Sequence, residues 1–249
     1  MRKLIAALAC RNTGTRLYGK PLQNLAPGCT ILDQILATVA RLPGIDTPVL
    51  GIAEGVENQV FAEIAERRGI SYIVGDEVDV LARLIACAEA VGGTDVFRVT
   101  TECPFLYYEP FAEAWAAHLE RGNDVTATDN LPEGTHFEIY KLEALRRSHA
   151  QGTAEHRSEN CSRYVRQHFN DFRVQAILPS EDCARMDLRL TVDYPEDLVV
   201  CRQVYGALAD KAPLIPLSDI IAFLDSRSDL KALVGPYTKP RRLWDGIYP

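Results

Sequence analysis

The chain alternates between short apolar runs and longer amphipathic segments. Seven of the apolar runs have the length and composition of buried β-strands: KLIAALA, PVLGIA, SYIVG, DVFRVT, DVTAT, HFEIY and FRVQAIL. Between them, apolar residues recur at helical spacing in three sets: Ile31, Ile35, Val39 and Leu42; Val56, Val60 and Ile64; Val80, Leu84, Cys87 and Val91. Strands that alternate with helices predict an α/β fold, with a largely parallel sheet covered by helices on both faces.

The pattern predicts a single domain over residues 1–249. We find no internal repeat and no low-complexity linker. The last segment, GPYTKPRRLWDGIYP (235–249), is rich in proline and glycine, and we expect it to form an extended tail over the surface or against a partner subunit.

Composition and charge narrow the range of partners. The net charge is −7, which argues against a general nucleic-acid-binding surface. No apolar run is long enough to span a membrane. The start, MRKLIAALAC, has a signal-like order, but its apolar run is short and a first core strand explains it better. Seven scattered cysteines without a CxxC pair favour free thiols in a reducing cytoplasm over zinc or disulfides.

The loop after the first strand, Cys10 to Leu25, lies where ligands bind in parallel sheets, at the carboxyl ends of the strands. It carries two glycines and three cations: Gly14, Gly19, Arg11, Arg16 and Lys20. Backbone N–H groups of such turns and cationic side chains form phosphate cradles. A solvated basic loop is the alternative. The loop is neither a Walker A motif, because Pro21 follows Lys20, nor a GxGxxG fingerprint.

Six segments in the same order resemble the cytidylyltransferases that activate sugar acids. They are RNTGTRLYGKPLQNL, VGDEVDVLARLIACAE, DVFRVTTECPFLYYEP, LPEGTHFEIYKLEAL, SENCSRYVRQHFNDFRV and LRLTVDYPEDLVVCRQVY. The resemblance is to the CMP-KDO synthetase and acylneuraminate group, and most of all to its spore-coat-polysaccharide subfamily. It implies a Rossmann-like nucleotidyltransferase fold with a mixed sheet. It also implies attack by an acceptor oxygen on the α-phosphorus of CTP, with pyrophosphate leaving.

The resemblance assigns most nucleotide contacts to the first loop. Arg11, Arg16 and Lys20 match the catalytic phosphate-binding cations. The nucleotide-binding set it implies is Cys10, Arg11, Asn12, Gly14, Thr15, Arg16, Lys20, Asp79, Arg83 and Thr101. For Asp79 and Arg83 the alternative is an ion pair between helical neighbours at i and i+4. Tyr18 can stack on the base or cover apolar surface.

Magnesium is the expected cofactor, because it prefers carboxylate and phosphate oxygens. Asp193 and Glu102 are the predicted metal ligands. Spacing alone allows Asp193 to be the N-cap of the helix that begins near Pro195. Glu102 and Thr101 stand where the family has Asp and Gly. This departure leaves three interpretations of Glu102. It still binds the metal, it marks a shifted acceptor or an altered nucleotide pocket, or it marks a protein that has lost activity.

The acceptor-binding residues that the resemblance implies are His136, Glu138, Tyr140, Glu159 and Asn160, with Arg163 a weaker candidate. His136 and Asn160 depart from the family pattern, which suggests a changed acceptor, although a lone histidine on a strand is often structural. The acceptor is expected to be an anionic small molecule: a sugar acid, a phosphonate or a sugar phosphate. Transfer from another nucleotide and a non-catalytic nucleotide-binding subunit are the competing functions. We expect a homodimer, formed by residues 151–179 or by the tail.

Overall fold

The first apolar run forms the central strand of the sheet. In the computed structural model, which describes residues 2–245, strand β1 spans Leu4–Cys10. Its side chains alternate between the two faces: Leu4 and Leu8 enter one hydrophobic cluster, whereas Ile5 and Ala7 enter the other. A strand buried on both faces needs a continuous apolar run, which explains why the run is uninterrupted.

The other strands of the described chain follow the predicted apolar runs, apart from a short hairpin. They are β2 Asn24–Ala26, β3 Cys29–Thr30, β4 Ile45–Ala53, β5 Ser71–Gly75, β6 Asp95–Arg98, β7 Val125–Thr128, β8 Glu138–Lys141 and β9 Val174–Ile177. β2 and β3 form the hairpin, and the remaining strands form one sheet in the order β5-β4-β1-β6-β8-β7-β9. β8 runs antiparallel to β6 and β7, while every other pairing in this sheet is parallel. The prediction of a mixed, mostly parallel sheet is confirmed.

Helices cover both faces of this sheet, as predicted. Their bounds are α1 Ile31–Val39, α2 Gln59–Arg68, α3 Val80–Ala90, α4 Phe111–Glu120, α5 Leu142–Gln151, α6 Ala154–Arg157, α7 Arg163–Gln167, α8 Pro195–Ala207, α9 Leu217–Asp225 and α10 Ser228–Val234. Apolar residues of α1, α2, α4, α8, α9 and α10 belong to one core cluster, and those of α3, α5 and α7 belong to the other. Within residues 2–245, no helix has both the length and the apolar character needed to cross a bilayer.

The tail runs back across the domain after α10. Trp244 is 1% exposed and packs in the cluster that contains α3 and α5. Its backbone N–H and that of Leu243 donate to the carboxylate of Asp129, at 3.0 and 2.9 Å. Asp129 directly follows β7, so these bonds hold the tail at the carboxyl end of that strand. Residues 246–249 of the predicted tail lie outside the described residues.

Candidate active site

A cavity of about 780 Å³ opens at the edge of the sheet where β1 and β6 end. The predicted site residues that line it are Arg11, Asn12, Gly14, Thr15, Arg16, Lys20, Glu102, His136, Glu138, Glu159, Asn160 and Asp193. Tyr18 lines it as well. Its volume lies in the upper part of the range of about 300–1,000 Å³ for ligand pockets. The three predicted groups of ligand contacts therefore face one common space.

The loop after β1 folds into a tight turn that needs both of its glycines. Gly19 has a φ of +61°, and its N–H donates to the carbonyl of Asn12 at 2.9 Å. At Gly14, a Cβ atom would lie 2.4 Å from the carbonyl oxygen of Leu17. A side chain at either position would therefore force the loop to move. The turn carries the cations of the loop to the mouth and the floor of the cavity.

Lys20 occupies the floor and joins the two predicted metal ligands. Its Nζ lies 3.0 Å from Oε2 of Glu102 and 2.8 Å from Oδ1 of Asp193. Burial alone would lower the pKa of Lys20, but the two carboxylates outweigh burial and raise it. For Asp193, burial alone would raise the pKa, but Lys20 and two arginines lower it. The Lys20 ammonium and the Asp193 carboxylate are therefore charged at neutral pH.

Backbone pairing brings these two carboxylates together across a long stretch of chain. The N–H of Val192 donates to the carbonyl of Glu102 at 3.0 Å, so the segment ending at Asp193 lies alongside the loop after β6. Glu102 Oε2 and Asp193 Oδ1 both contact Lys20 Nζ, so the distance between these two oxygens is at most the sum of the two N–O distances. Side-chain packing and long-range pairing, rather than local spacing, create the pair.

A buried arginine holds Asp193 from below. Arg189, whose side chain is 3% exposed, donates to Asp193 Oδ2 at 2.8 Å and pairs with both oxygens of Asp197 at 2.8 and 3.0 Å. Asp197 also accepts the backbone N–H groups of Asp193 and Tyr194, each at 2.9 Å. The N-cap position of α8 is Tyr194, so the alternative role of Asp193 as its N-cap is wrong. Asp193 instead points to the cations.

The carboxylate pair fits magnesium better than a metal bound by protein ligands alone. Among residues 2–245, no group of three or more histidines, cysteines or acidic residues is arranged to hold a metal ion. Magnesium is often held by one or two carboxylates, with substrate phosphates and water as the other ligands. Glu102 and Asp193 offer that partial set of oxygen ligands.

The opposite wall carries four of the five predicted acceptor residues and one arginine that the sequence analysis missed. Arg98, the last residue of β6, lies 2.8 Å from Glu138 Oε2 and donates to the carbonyl of Glu159 at 3.2 Å. Arg11 reaches the Glu159 carboxylate at 3.3 Å. A lone cation at the end of an apolar strand was the available signal for Arg98.

His136 lies just before β8, which begins at Glu138, so the prediction that His136 belongs to this strand is wrong. Its Nδ1 lies 3.2 Å from the carbonyl oxygen of Thr128. A carbonyl only accepts, so Nδ1 carries the hydrogen and Nε2 is left as an acceptor. Burial lowers the pKa of His136 more than this hydrogen bond raises it, which keeps the ring neutral.

Two predicted nucleotide contacts lie behind the cavity wall instead of in it. Cys10 is fully buried, and burial raises the pKa of its thiol to about 12. Arg83 is 2% exposed and donates to the carbonyls of Gly51 and Cys10 at 2.9 and 3.2 Å. Its guanidinium therefore ties β1 to β4, and it also donates to the carbonyl of Glu77 at 3.4 Å.

Asp79, Thr101 and Tyr140 also lie outside the cavity lining. Asp79 caps α3 through the N–H of Ala82 at 2.8 Å and contacts His149 at 2.8 Å, so it forms no ion pair with the buried guanidinium of its helix. Thr101 donates to the carbonyl of Ala9 at 2.9 Å. Tyr140 is buried in the core, although it lies two residues after Glu138 in β8 and therefore on the same face of that strand.

The tail contributes to the cavity, which the sequence reading did not anticipate. Lys239, Arg241 and Leu243 line it. The ring of Tyr237 stacks on Tyr194, with centroids 4.1 Å apart. The tail thus closes the side of the cavity that lies between α8 and β7.

The loop and tail meet at the same aromatic ring. The guanidinium carbon of Arg16 lies 4.8 Å from the centroid of Tyr194, on which Tyr237 stacks. Arg16 also donates to Asp193 Oδ1 at 2.9 Å. One tyrosine therefore contacts a phosphate-binding candidate and the tail.

No protein-family model matches the chain. In sequence, it is 26% identical over 235 residues to the spore coat polysaccharide biosynthesis protein SpsF of Bacillus subtilis (strain 168). That match covers 92% of this chain and 97% of SpsF. The likeness extends over nearly the full length of both proteins.

Solved structures share the fold. A cytidylyltransferase from Leptospira borgpetersenii serovar Hardjo-bovis (strain JB197) matches with a TM-score of 0.82 and 18% identity, over 92% of this chain and 97% of that chain. CMP:2-keto-3-deoxy-manno-octonic acid synthetase, complexed with CTP, matches with a TM-score of 0.63 and 11% identity, over 82% and 99%. Sequence and fold together confirm the resemblance of this chain to the cytidylyltransferase family.

Proposed function

We propose that the protein is a magnesium-dependent cytidylyltransferase that transfers CMP from CTP to an anionic small-molecule acceptor. An acceptor oxygen bonds to the α-phosphorus, the bond from that phosphorus to the β-phosphate oxygen breaks, and pyrophosphate leaves. The observation that carries the proposal is the contact of Lys20 with both Glu102 and Asp193 beneath the glycine-containing loop.

The loop cations supply positive charge at two depths. The side chains of Arg11 and Arg16 are 44% and 46% exposed, whereas that of Lys20 is 14% exposed. A triphosphate entering the cavity meets the arginines at the mouth and the lysine at the floor. Nucleotidyl transfer depends mainly on such positioning and on neutralising phosphate charge, since the protein forms no covalent bond.

Glu102 and Asp193 would hold magnesium. When bound, the ion would neutralise phosphate charge and polarise the reacting phosphoryl group. Glu102 shares Lys20 with Asp193, which favours a metal-binding role for Glu102 over a shifted pocket or lost activity. Arg189 fixes the second oxygen of Asp193, so the carboxylate is oriented before any ligand arrives.

The acceptor wall combines a neutral histidine with a paired arginine. Nε2 of His136 can accept a hydrogen bond or a proton from an acceptor hydroxyl, because Nδ1 is committed to Thr128. Arg98 is held by Glu138 and can orient an anionic acceptor group. These contacts suit a sugar acid, a phosphonate or a sugar phosphate.

Pyrophosphate release tests the proposal. We would incubate the protein with magnesium and CTP, UTP, ATP or GTP, together with sugar acids, phosphonates and sugar phosphates. We expect release that requires CTP and one acceptor class and that stops when EDTA removes the metal. Preference for UTP or GTP would contradict the cytidylyl assignment, and CTP binding without any release would favour a non-catalytic subunit.

A further inference from the structure

The tail residues 238–243, here named the strap, are fixed at both ends. Before the strap, Tyr237 stacks on Tyr194 with the two rings 14° from parallel. At its far end, Arg166 donates to the carbonyl of Leu243 at 3.3 Å, and the buried Trp244 follows. The strap thus crosses the cavity between two packed aromatic residues, Tyr237 and Trp244.

Side chains of the strap alternate between the cavity and its outside. Lys239, Arg241 and Leu243 line the cavity, whereas Pro240 and Arg242 do not. Extended backbone turns successive side chains to opposite sides, and a proline keeps the residue before it extended. The Lys-Pro-Arg sequence therefore directs two cations to the same side.

These two cations differ from the other cations of the cavity wall. Each of the others contacts a carboxylate: Arg11 with Glu159, Arg16 with Asp193, Lys20 with Glu102 and Asp193, and Arg98 with Glu138. Lys239 and Arg241 are exposed, and within residues 2–245 neither has a hydrogen-bond or ion-pair partner. Their charge is free to meet an anion in the cavity.

The far end of the strap is anchored away from the triphosphate loop, whereas its near end follows Tyr237, which reaches that loop through Tyr194 and Arg16. That loop follows β1, and the strap is held by Asp129 after β7, with β6 and β8 between them in the sheet. Neighbouring strands lie about 4.8 Å apart, so three spacings separate the two strand ends by roughly 14 Å. β1 and β7 run in the same direction, so both ends face the cavity edge.

We propose that Lys239 and Arg241 bind an anionic group that the acceptor carries in addition to its attacking oxygen. This inference rests on the proposed function and narrows its substrate class. The preferred acceptor carries a carboxylate, phosphonate or phosphate remote from the reacting oxygen, and an analogue without that group is a poor substrate.

The test compares Lys239→Gln/Arg241→Gln with Arg242→Gln, which removes a charge from the same strap outside the cavity lining. With the acceptor that the release panel selects, we expect KM for the acceptor to rise about tenfold or more in the double variant. KM for CTP should stay within about twofold, and Arg242→Gln should behave as wild type. An unchanged acceptor KM, or an equal rise in KM for CTP, would overturn the proposal.

A spectroscopic control separates lost charge from a lost strap. The chain has two tryptophans, so Trp115→Phe leaves Trp244 as the sole reporter of strap seating. We expect equal acrylamide quenching with and without the double substitution. If quenching rises, the charge-retaining variant Lys239→Arg/Arg241→Lys separates the two explanations. A wild-type KM for the acceptor in this variant supports a charge contact. A KM raised as far as in the glutamine variant overturns the proposal.

Failure of the proposed function would be visible separately, as absence of release in the wild-type protein with every nucleotide and acceptor. The strap would then be tested by calorimetry with phosphonoacetate, which carries a carboxylate and a phosphonate. About tenfold weaker binding by the double variant than by Arg242→Gln would support the strap as an anion site. Equal binding would overturn it.

Discussion

The loop after β1 and the strap 238–243 both bring cations to one cavity, but they hold them in opposite ways. Lys20 and Arg16 both contact the carboxylate of Asp193, which is itself held by the buried Arg189. Lys239 and Arg241 extend from exposed backbone without such partners in the described chain. A cation on a fixed frame can be placed at a reacting phosphate, whereas a cation on a strap mainly attracts and orients a remote charge.

Arg189, Asp193 and Asp197, here named the frame, lie beneath the loop. We expect substitutions in the frame to have the largest effect on stability. In Asp197→Ala, buried Arg189 loses its two contacts with that carboxylate and keeps those with Asp193 and Glu133, and two backbone N–H groups at the start of α8 lose their acceptor. We expect the free energy of unfolding to fall by about 3–5 kcal/mol, as when one partner of a buried ion pair is removed. Urea denaturation measures it.

Asp229→Ala is the matched control, because it removes a carboxylate that pairs with Arg227 at the surface. The unfolding free energy should change by no more than about 0.5 kcal/mol. A similar loss in both variants would mean that the frame has no special stability.

Charge at the floor should matter most for rate. Lys20→Ala and Asp193→Ala should each lower kcat by about 100-fold or more, because Lys20 would neutralise the developing phosphate charge and Asp193 would position Lys20 and hold the magnesium ion. Steady-state pyrophosphate release measures the effect. Lys211→Ala removes a lysine whose partner is Asp219 on the surface, so it should keep the wild-type rate. Near-normal rates in both floor variants would contradict the mechanism.

The acceptor wall should show a smaller effect that depends on pH. Burial lowers the pKa of His136 below its usual 6.5, so activity with a hydroxyl acceptor should fall only as the pH drops below that value. Protonation turns Nε2 from an acceptor into a donor. In His136→Gln, kcat/KM for the acceptor should fall about threefold to tenfold, and this acid limb should disappear. An unchanged limb would assign it to another group.

Thiol labelling gives the smallest and simplest contrast. Cys10 lies at the start of the loop but is buried with a raised pKa, and Cys29 is half-buried whereas the other cysteines are buried. Ellman's reagent should therefore modify one thiol rapidly in the native protein and seven in denaturant. Cys29→Ser should abolish the rapid phase. Rapid labelling in that variant would show that one of the buried thiols is accessible in the native protein.

The sequence predicted the fold well because strand pattern is a local property. The run KLIAALA is apolar on both faces because β1 is buried on both faces. The loop cations were also predictable, since Gly14 and Gly19 mark a turn and the strand before them fixes its place. Local signals with a single structural explanation carried the prediction.

Partners far apart in sequence were harder to foresee. Arg189, Thr191 and Asp193 follow one another at two-residue intervals, a pattern that indicates side chains on the same side of an extended segment. The contact of Arg189 with Asp197, by contrast, depends on how α8 begins. Arg83 has a helical register that allowed a partner at i−4, yet its guanidinium donates to carbonyls of the paired strands β1 and β4. The strap carries no periodic apolar pattern of its own, so only tertiary packing of Trp244 reveals where it lies.

Tyr194, which joins the loop to the residue just before the strap, has a thermodynamic consequence. Arg16 lies against Tyr194 on one side, and Tyr237 stacks on the same ring. If a nucleotide draws Arg16 away and thereby changes how firmly Tyr237 is held, the affinity for an acceptor on the strap changes by a defined factor. Linkage then requires the acceptor to change nucleotide affinity by the same factor, so the coupling between the two sites can be measured with either substrate.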